Sequence, residues 1–236
     1  MVTPPTLVLW DIDHTLIETR GVGGELYRAA FEEITGRTME HKAEVTGMTE
    51  PAILAETLKL HGLEPSEEYQ TKYAEALARQ YERHAEELRE RGRALPGAKE
   101  ALAALAEQPG VIQTVLTGNL RAVAATKLRV FGLDGFVDFE VGAYGDDEAE
   151  RPKLVAVAQE RAGAKFGVEF SRDNTVILGD SPSDVETGLK GGARVIGVAS
   201  GKSGVEELRA HGASSVLDDL QDIDNMVEAA TGPASP

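Results

Sequence analysis

Residues 6–10 form an unbroken run of strand formers that stops at two carboxylates, Asp11 and Asp13. Such a run reads as a β-strand covered on both faces and predicts a central strand there. From 17 to 94 the pattern changes to long, charged, helix-favouring stretches. Their periodicity predicts helices over 25–35, 50–61 and 66–91, with Ser66 capping the last. No strand pattern interrupts them, so the segment reads as an all-helical insertion. After Pro96-Gly97, strand and helix alternate: strands over 111–116, 136–141, 175–178, 194–198 and 215–217, helices over 98–107, 120–131, 154–162, 182–190 and 205–211. Alternation at this spacing implies right-handed βαβ units and a mainly parallel, doubly wound α/β sheet. The predicted organisation is an α/β core from 1–16 and 95–230, a helical cap from 17–94, and a disordered tail at 231–236. No internal repeat is present.

Composition narrows the class of partner. With 24 basic against 40 acidic residues the formal charge is −16, which disfavours nucleic acid, and no basic patch offsets it. There is no cysteine, so disulfides, thiolate metal sites and a cysteine nucleophile are excluded. No apolar run approaches the ~18 residues of a membrane span, and the first residues lack the regions of a signal peptide. The expectation is a cytoplasmic protein acting on a small molecule, with no membrane or nucleic-acid partner.

Candidate chemistry collects at strand ends, where ligands bind in doubly wound sheets. Three strands close on unusual polar sequences: Asp11-Ile12-Asp13, Thr117-Gly118-Asn119, and Gly179-Asp180-Ser181-Pro182-Ser183-Asp184. Each alone reads equally well as a turn or a helix cap. If the three ends are adjacent, Asp11, Asp13, Asp180 and Asp184 form a cluster that cannot all ionise comfortably. A hard divalent cation resolves the repulsion, and oxygen-only ligands favour Mg²⁺ over zinc. Thr117 and the glycine after it offer a hydroxyl and backbone N–H groups at a helix start, an anion seat. Cation, anion seat and paired aspartates suggest phosphoryl chemistry.

These three motifs, in this order and with a helical insertion after the first, resemble the haloacid dehalogenase superfamily, more narrowly its phosphoglycolate phosphatase-like members with a helical cap. The resemblance spans nearly the whole chain. It implies that Asp11 attacks phosphorus to give an aspartyl-phosphate and that Asp13 serves as general acid and base. It also implies Mg²⁺ held by Asp11, the Asp13 backbone carbonyl, Asp180 and Asp184, with the phosphoryl oxygens on Thr117, Gly118 and Asn119. A lysine is expected in the third motif. Here Arg151-Pro152-Lys153 offers two cations, Arg151 with the spacing and Lys153 with the usual chemistry, and the two are not interchangeable.

Other residues carry weaker signals. His14 stands where the family has glycine. Arg20, where the insertion leaves the core, is placed to face a substrate carboxylate or phosphate, while 21–24 lacks the preceding strand of a dinucleotide fingerprint. His41, His61, His84 and His211 read as surface residues, and Trp10 as core or pocket edge. A phosphonate hydrolase would need a cap lysine, for which Lys42, Lys59 and Lys72 stand in no recognisable context. The expected activity is Mg²⁺-dependent hydrolysis of a small phosphorylated metabolite. Its rivals are a phosphosugar mutase of the β-phosphoglucomutase type and a catalytically silent phosphate-binding protein.

Overall fold

A computed structural model describes residues 5–43 and 47–232. Strand β1 (Thr6–Trp10) lies at the centre of a five-stranded parallel sheet of order β4-β1-β5-β6-β7, with β4 Val111–Val115, β5 Thr175–Gly179, β6 Arg194–Val198 and β7 Ser215–Leu217. Side chains alternate across the pleat, so Val8 and Trp10 enter one core and Leu7 and Leu9 the other. The first core is closed by α5 (Ala98–Ala106) and α10 (Ile223–Thr231), the second by α7 (Arg151–Phe166). Helices on both faces make the sheet doubly wound. Helices α8 (Pro182–Gly191) and α9 (Val205–Ala210) complete the outer layers.

The chain leaves and re-enters this sheet through a two-stranded antiparallel ribbon, β2 (Ile17–Glu18) against β3 (Arg93–Ala94), paired Ile17 to Ala94 and Glu18 to Arg93. Between them, among the described residues, lie four helices: α1 (Val22–Thr35), α2 (Glu50–Leu60), α3 (Glu67–Arg83) and α4 (Ala85–Arg91). Their apolar faces meet in a cluster of their own, around Phe31, Leu54, Leu58, Tyr73 and Leu77. That cluster also takes in Leu120, Val123 and Val130, which flank or lie on α6 (Arg121–Val130), the helix following β4. Polar ties reinforce the seam: Thr126 Oγ1 donates to Glu82 at 2.7 Å and Arg129 reaches both oxygens of Glu82 at 2.6 and 2.8 Å.

Several expected elements differ. The stretch 66–91 is two helices, because His84 leaves helical geometry (φ −106°, ψ 20°) while its Nδ1 pairs with the Gln80 carbonyl at 2.9 Å, closing α3. No strand forms over 136–141. A 3₁₀ turn, Asp134–Phe136, is followed by a turn in which Val141 N–H donates to the Asp138 carbonyl at 3.3 Å and Glu140 N–H to the Asp138 carboxylate at 3.0 Å. Only a bridge between Leu116 and Ala143 remains of the expected pairing. Helix α1 begins at Val22, three residues earlier than expected, and incorporates Gly23, where a Cβ would lie 2.9 Å from the Tyr81 hydroxyl. Thr231 closes α10 instead of opening a disordered tail; 233–236 lie outside the described residues. Trp10 is fully buried, its Nε1 donating to Gln113 at 3.0 Å, so it belongs to the core. His61 is half-buried against Phe31 and accepts the Glu40 N–H at 3.0 Å, tying two parts of the helical layer together instead of lying on the surface. His84 is likewise half-buried.

Candidate active site

Parallel pairing sets three polar strand ends side by side. Trp10 is in register with Val115 of β4 and Leu178 of β5, so Asp11, Thr117 and Asp180 emerge along one edge. Asp11, Asp180 and Asp184 are buried and can each offer an oxygen within 4.8 Å of the others. Burial above all, then the neighbouring Asp184, holds the Asp11 carboxyl well above its ordinary range against the opposing pull of Arg151. The same two influences push Asp180 up to about 7. Asp184 is fixed by Ser181, whose N–H and Oγ donate to its Oδ2 at 3.0 and 2.6 Å in a capping box at the start of α8.

The third-motif cations separate cleanly. Arg151, 9% exposed at its side chain, donates to Asp184 at 2.6 Å and Asp11 at 3.2 Å. Lys153 points into solvent and pairs with Glu150 at 2.8 Å, so it takes no part in the cluster. Residues two apart on a helix differ by about 200° in direction, and only one of the pair can face inward. Arg20 also stays away. It sits in left-handed backbone (φ 47°), half exposed, beside Glu18 at 3.6 Å. His14 has φ 67°, which explains a position that suits glycine.

Asp13 faces a different set of groups. Asn119 Nδ2 donates to it at 2.7 Å and to Thr117 Oγ1 at 2.8 Å. Lys127 Nζ lies 2.9 and 2.7 Å from its two oxygens. Burial works to raise the Asp13 carboxyl, but Lys127 and the Asn119 bond bring it below its ordinary range. Lys127 was not apparent from the motifs. It lies four residues after Val123 on the buried stripe of α6, and a charge on an apolar stripe is the sequence signal that could have exposed it.

These groups line one cavity of about 340 Å³, whose opposite wall is helical: Tyr27, Glu50, Ile53 and Tyr81. Glu50, at the start of α2, is tied to the sheet side. Its N–H donates to the Gly118 carbonyl at 2.8 Å and its carboxylate accepts the Leu120 N–H at 2.9 Å. Burial raises this carboxyl to about 7 despite the nearby Lys127. Gly118 is required by this contact, since a Cβ there would lie 2.6 Å from the Met48 carbonyl. Lys42 also lines the cavity, over the Tyr27 ring at 4.0 Å. Lys59 and Lys72 form surface ion pairs with Glu56 and Glu68.

The parallel sheet, the helical wall and the carboxylates between them make the carboxyl edge of the central strand the candidate reaction centre of an α/β protein. The chain belongs to the haloacid dehalogenase-like hydrolase family, whose pattern matches residues 8–188. It is 27% identical over 193 residues to a protein of Caldanaerobacter subterraneus named as a candidate pyrophosphatase, PpaX, spanning 82% of this chain and 81% of that one. Among solved structures, a hydrolase from Pseudomonas syringae superposes with a TM-score of 0.66 at 21% identity, covering 95% of this chain and 98% of that chain. CbbY from Rhodobacter sphaeroides, solved with phosphate, gives a TM-score of 0.67 at 18% identity over 93% and 96% of the two chains. A predicted phosphoglycolate phosphatase from Haemophilus somnus gives 0.65 at 20% identity over 96% and 99%. No described helix is long and apolar enough to cross a membrane.

Proposed function

We propose that this hydrolase is a Mg²⁺-dependent phosphatase for a small phosphorylated metabolite, working through an aspartyl-phosphate on Asp11. The observation that carries the reading is the buried position of Asp11 between two unlike sets of groups. On one side are Asp180, Asp184 and Arg151; on the other are Asp13, Asn119 and Thr117.

The donor set suits a hard cation. Three buried carboxylates share one guanidinium, and burial first, then the surplus negative charge, lifts Asp11 and Asp180. Asp11, the Asp13 carbonyl, Asp180 and Asp184 would hold Mg²⁺, which when bound neutralises charge on the phosphoryl oxygens. Arg151 would steady Asp11 and a phosphoryl oxygen. Thr117 Oγ1 and the N–H groups of Gly118 and Asn119 would take the remaining oxygens at the entry to α6.

In the first step an Asp11 oxygen bonds to phosphorus and the bond to the leaving oxygen breaks, the electron pair staying with that oxygen. Asp13, which Lys127 and Asn119 hold as a carboxylate in the free protein, takes up a proton as the substrate binds and supplies it to that oxygen. In the second, a water oxygen attacks phosphorus, its proton passes to Asp13, and Asp11 departs as a carboxylate. The helical wall excludes bulk water during both.

Assay with p-nitrophenyl phosphate and a panel of phosphorylated metabolites tests the reading. Phosphate release should require Mg²⁺ and vanish in Asp11→Asn without loss of fold. Release that persists in Asp11→Asn would refute the nucleophile. Recovery of an isomerised sugar phosphate in place of free phosphate would make the protein a mutase.

A further inference from the structure

Lys127 is the one buried lysine among the described residues, its side chain 5% exposed. An ammonium group has three donors, and here three acceptors meet it: both oxygens of Asp13, at 2.9 and 2.7 Å, and Asn119 Oδ1 at 2.7 Å. The fourth side is closed by the Tyr81 ring of α3, 5.5 Å from Nζ. The group is thus fully satisfied and locked at the seam between α6 and the helical layer. It makes no ion pair with Asp11, Asp180 or Asp184, which are served by Arg151. Two cations pair with the two carboxylate sets, Arg151 with one and Lys127 with the other, and only Arg151 lies in a motif.

We propose that Lys127 is the positioning residue of the acid/base carboxylate. It fixes Asp13 in the orientation that faces the leaving oxygen and anchors it, through Asn119, to the loop that seats the phosphate. The proposal rests on the phosphatase reading above. Asn119 alone gives Asp13 a single bond, about which the carboxylate can turn; the two bonds from Lys127 remove that freedom. Because Asn119 Nδ2 also donates to Thr117 Oγ1, Lys127, Asn119, Asp13 and Thr117 form one connected network. Its consequence is that proton transfer and phosphate seating share a common support, placed on α6 and not on the strand that bears Asp11.

A positioning role predicts a selective defect. Nitrophenolate leaves readily without a proton, whereas phenolate gains from one. In Lys127→Met, kcat/KM for p-nitrophenyl phosphate should fall only severalfold, through looser seating of the phosphate. For phenyl phosphate it should fall by about tenfold to a hundredfold, a part of the ~10²–10⁴-fold that a positioned acid contributes. The second step needs Asp13 with either substrate, so kcat should fall for both. Mixing variant with p-nitrophenyl phosphate should then give a burst of one nitrophenolate per site, with accumulated phosphoenzyme. Lys127→Gln, which keeps two N–H donors and is better tolerated if Met disturbs folding, should recover part of the phenyl phosphate rate. An equal fall in kcat/KM for both substrates with no burst would overturn the proposal, as would unchanged kinetics. If the wild type releases phosphate from neither substrate with Mg²⁺, the phosphatase reading fails and this inference with it; that outcome is distinct because it appears before any variant is made.

Discussion

Replacing Asp180 with Asn should stabilise the metal-free protein while destroying its response to Mg²⁺. Burial and the adjacent Asp184 raise the Asp180 carboxyl from 3.8 to about 7. Between those values the folded state holds a proton that the unfolded chain has released, so stability falls as pH rises through that window. Each pK unit is worth about 1.4 kcal/mol, which puts the full cost of ionising Asp180 at about 4 kcal/mol above pH 7. In Asp180→Asn that cost is absent. At about 2–4 °C per kcal/mol for a chain of this size, the variant should melt roughly 10 °C above wild type at pH 8 in chelator. At pH 5 folded Asp180 is still protonated but the unfolded chain has released its proton, so the gap should shrink to about 1.6 kcal/mol, or roughly 5 °C, and close only below the unfolded value of 3.8. With Mg²⁺ at about 100 times its Kd, the wild type should regain about 2.7 kcal/mol and the variant little. Thermal unfolding followed by circular dichroism at pH 5 and 8, with chelator and with Mg²⁺, gives all four comparisons. A variant no more stable than wild type at pH 8 in chelator would refute the reasoning, as would a gain that is the same at both pH values.

The other predictions concern the remaining site groups. Lys153→Ala should leave kcat/KM within about twofold of wild type, because its exposed ion pair is worth little. Arg151→Ala should lower it by about 10³-fold, as loss of a transition-state charge contact does; steady-state kinetics separates the two, and comparable losses would contradict the geometry. Glu50→Gln keeps an acceptor for the Leu120 N–H but removes a carboxyl that burial raises to about 7. It should therefore raise Tm at pH 8 and raise it much less at pH 5, just above the unfolded value of 4.5, with no gain at pH 8 counting against the buried charge. Gly118→Ala should push the Met48 carbonyl away from the phosphate loop. A KM increase of about tenfold or more is the expected readout, and normal KM would mean the contact is not needed for binding.

What the sequence made legible was local. Asp11, Asp13, Thr117 and Asp180 could be found because each sits at the end of a strand whose apolar run is unmistakable, and parallel pairing then aligns them. Contacts at long range could not be read. The partner of Lys127 lies 114 residues away, and Glu50 reaches across 70 residues to Leu120. The choice between Arg151 and Lys153 turned on the rotation of one helix. His84 broke a periodic stretch through a side-chain bond that propensity does not encode, and the turn at Asp138 did the same to an apolar alternation at 136–141.

Helix α6 has an unusual allegiance. Its residues follow the Thr117-Gly118-Asn119 loop, yet Val123 and Val130 are buried with the side chains of α1 to α4. A chimera that exchanged only residues 17–94 for the helices of a relative would therefore strand half of an apolar interface. The transplantable unit is those helices together with the outward face of α6, and since α6 also carries Lys127, changing what covers the cavity means disturbing what stands beneath it. In this chain the helices over the cavity and the groups on its floor are joined through one helix, so an exchange of the former is also a change to the latter.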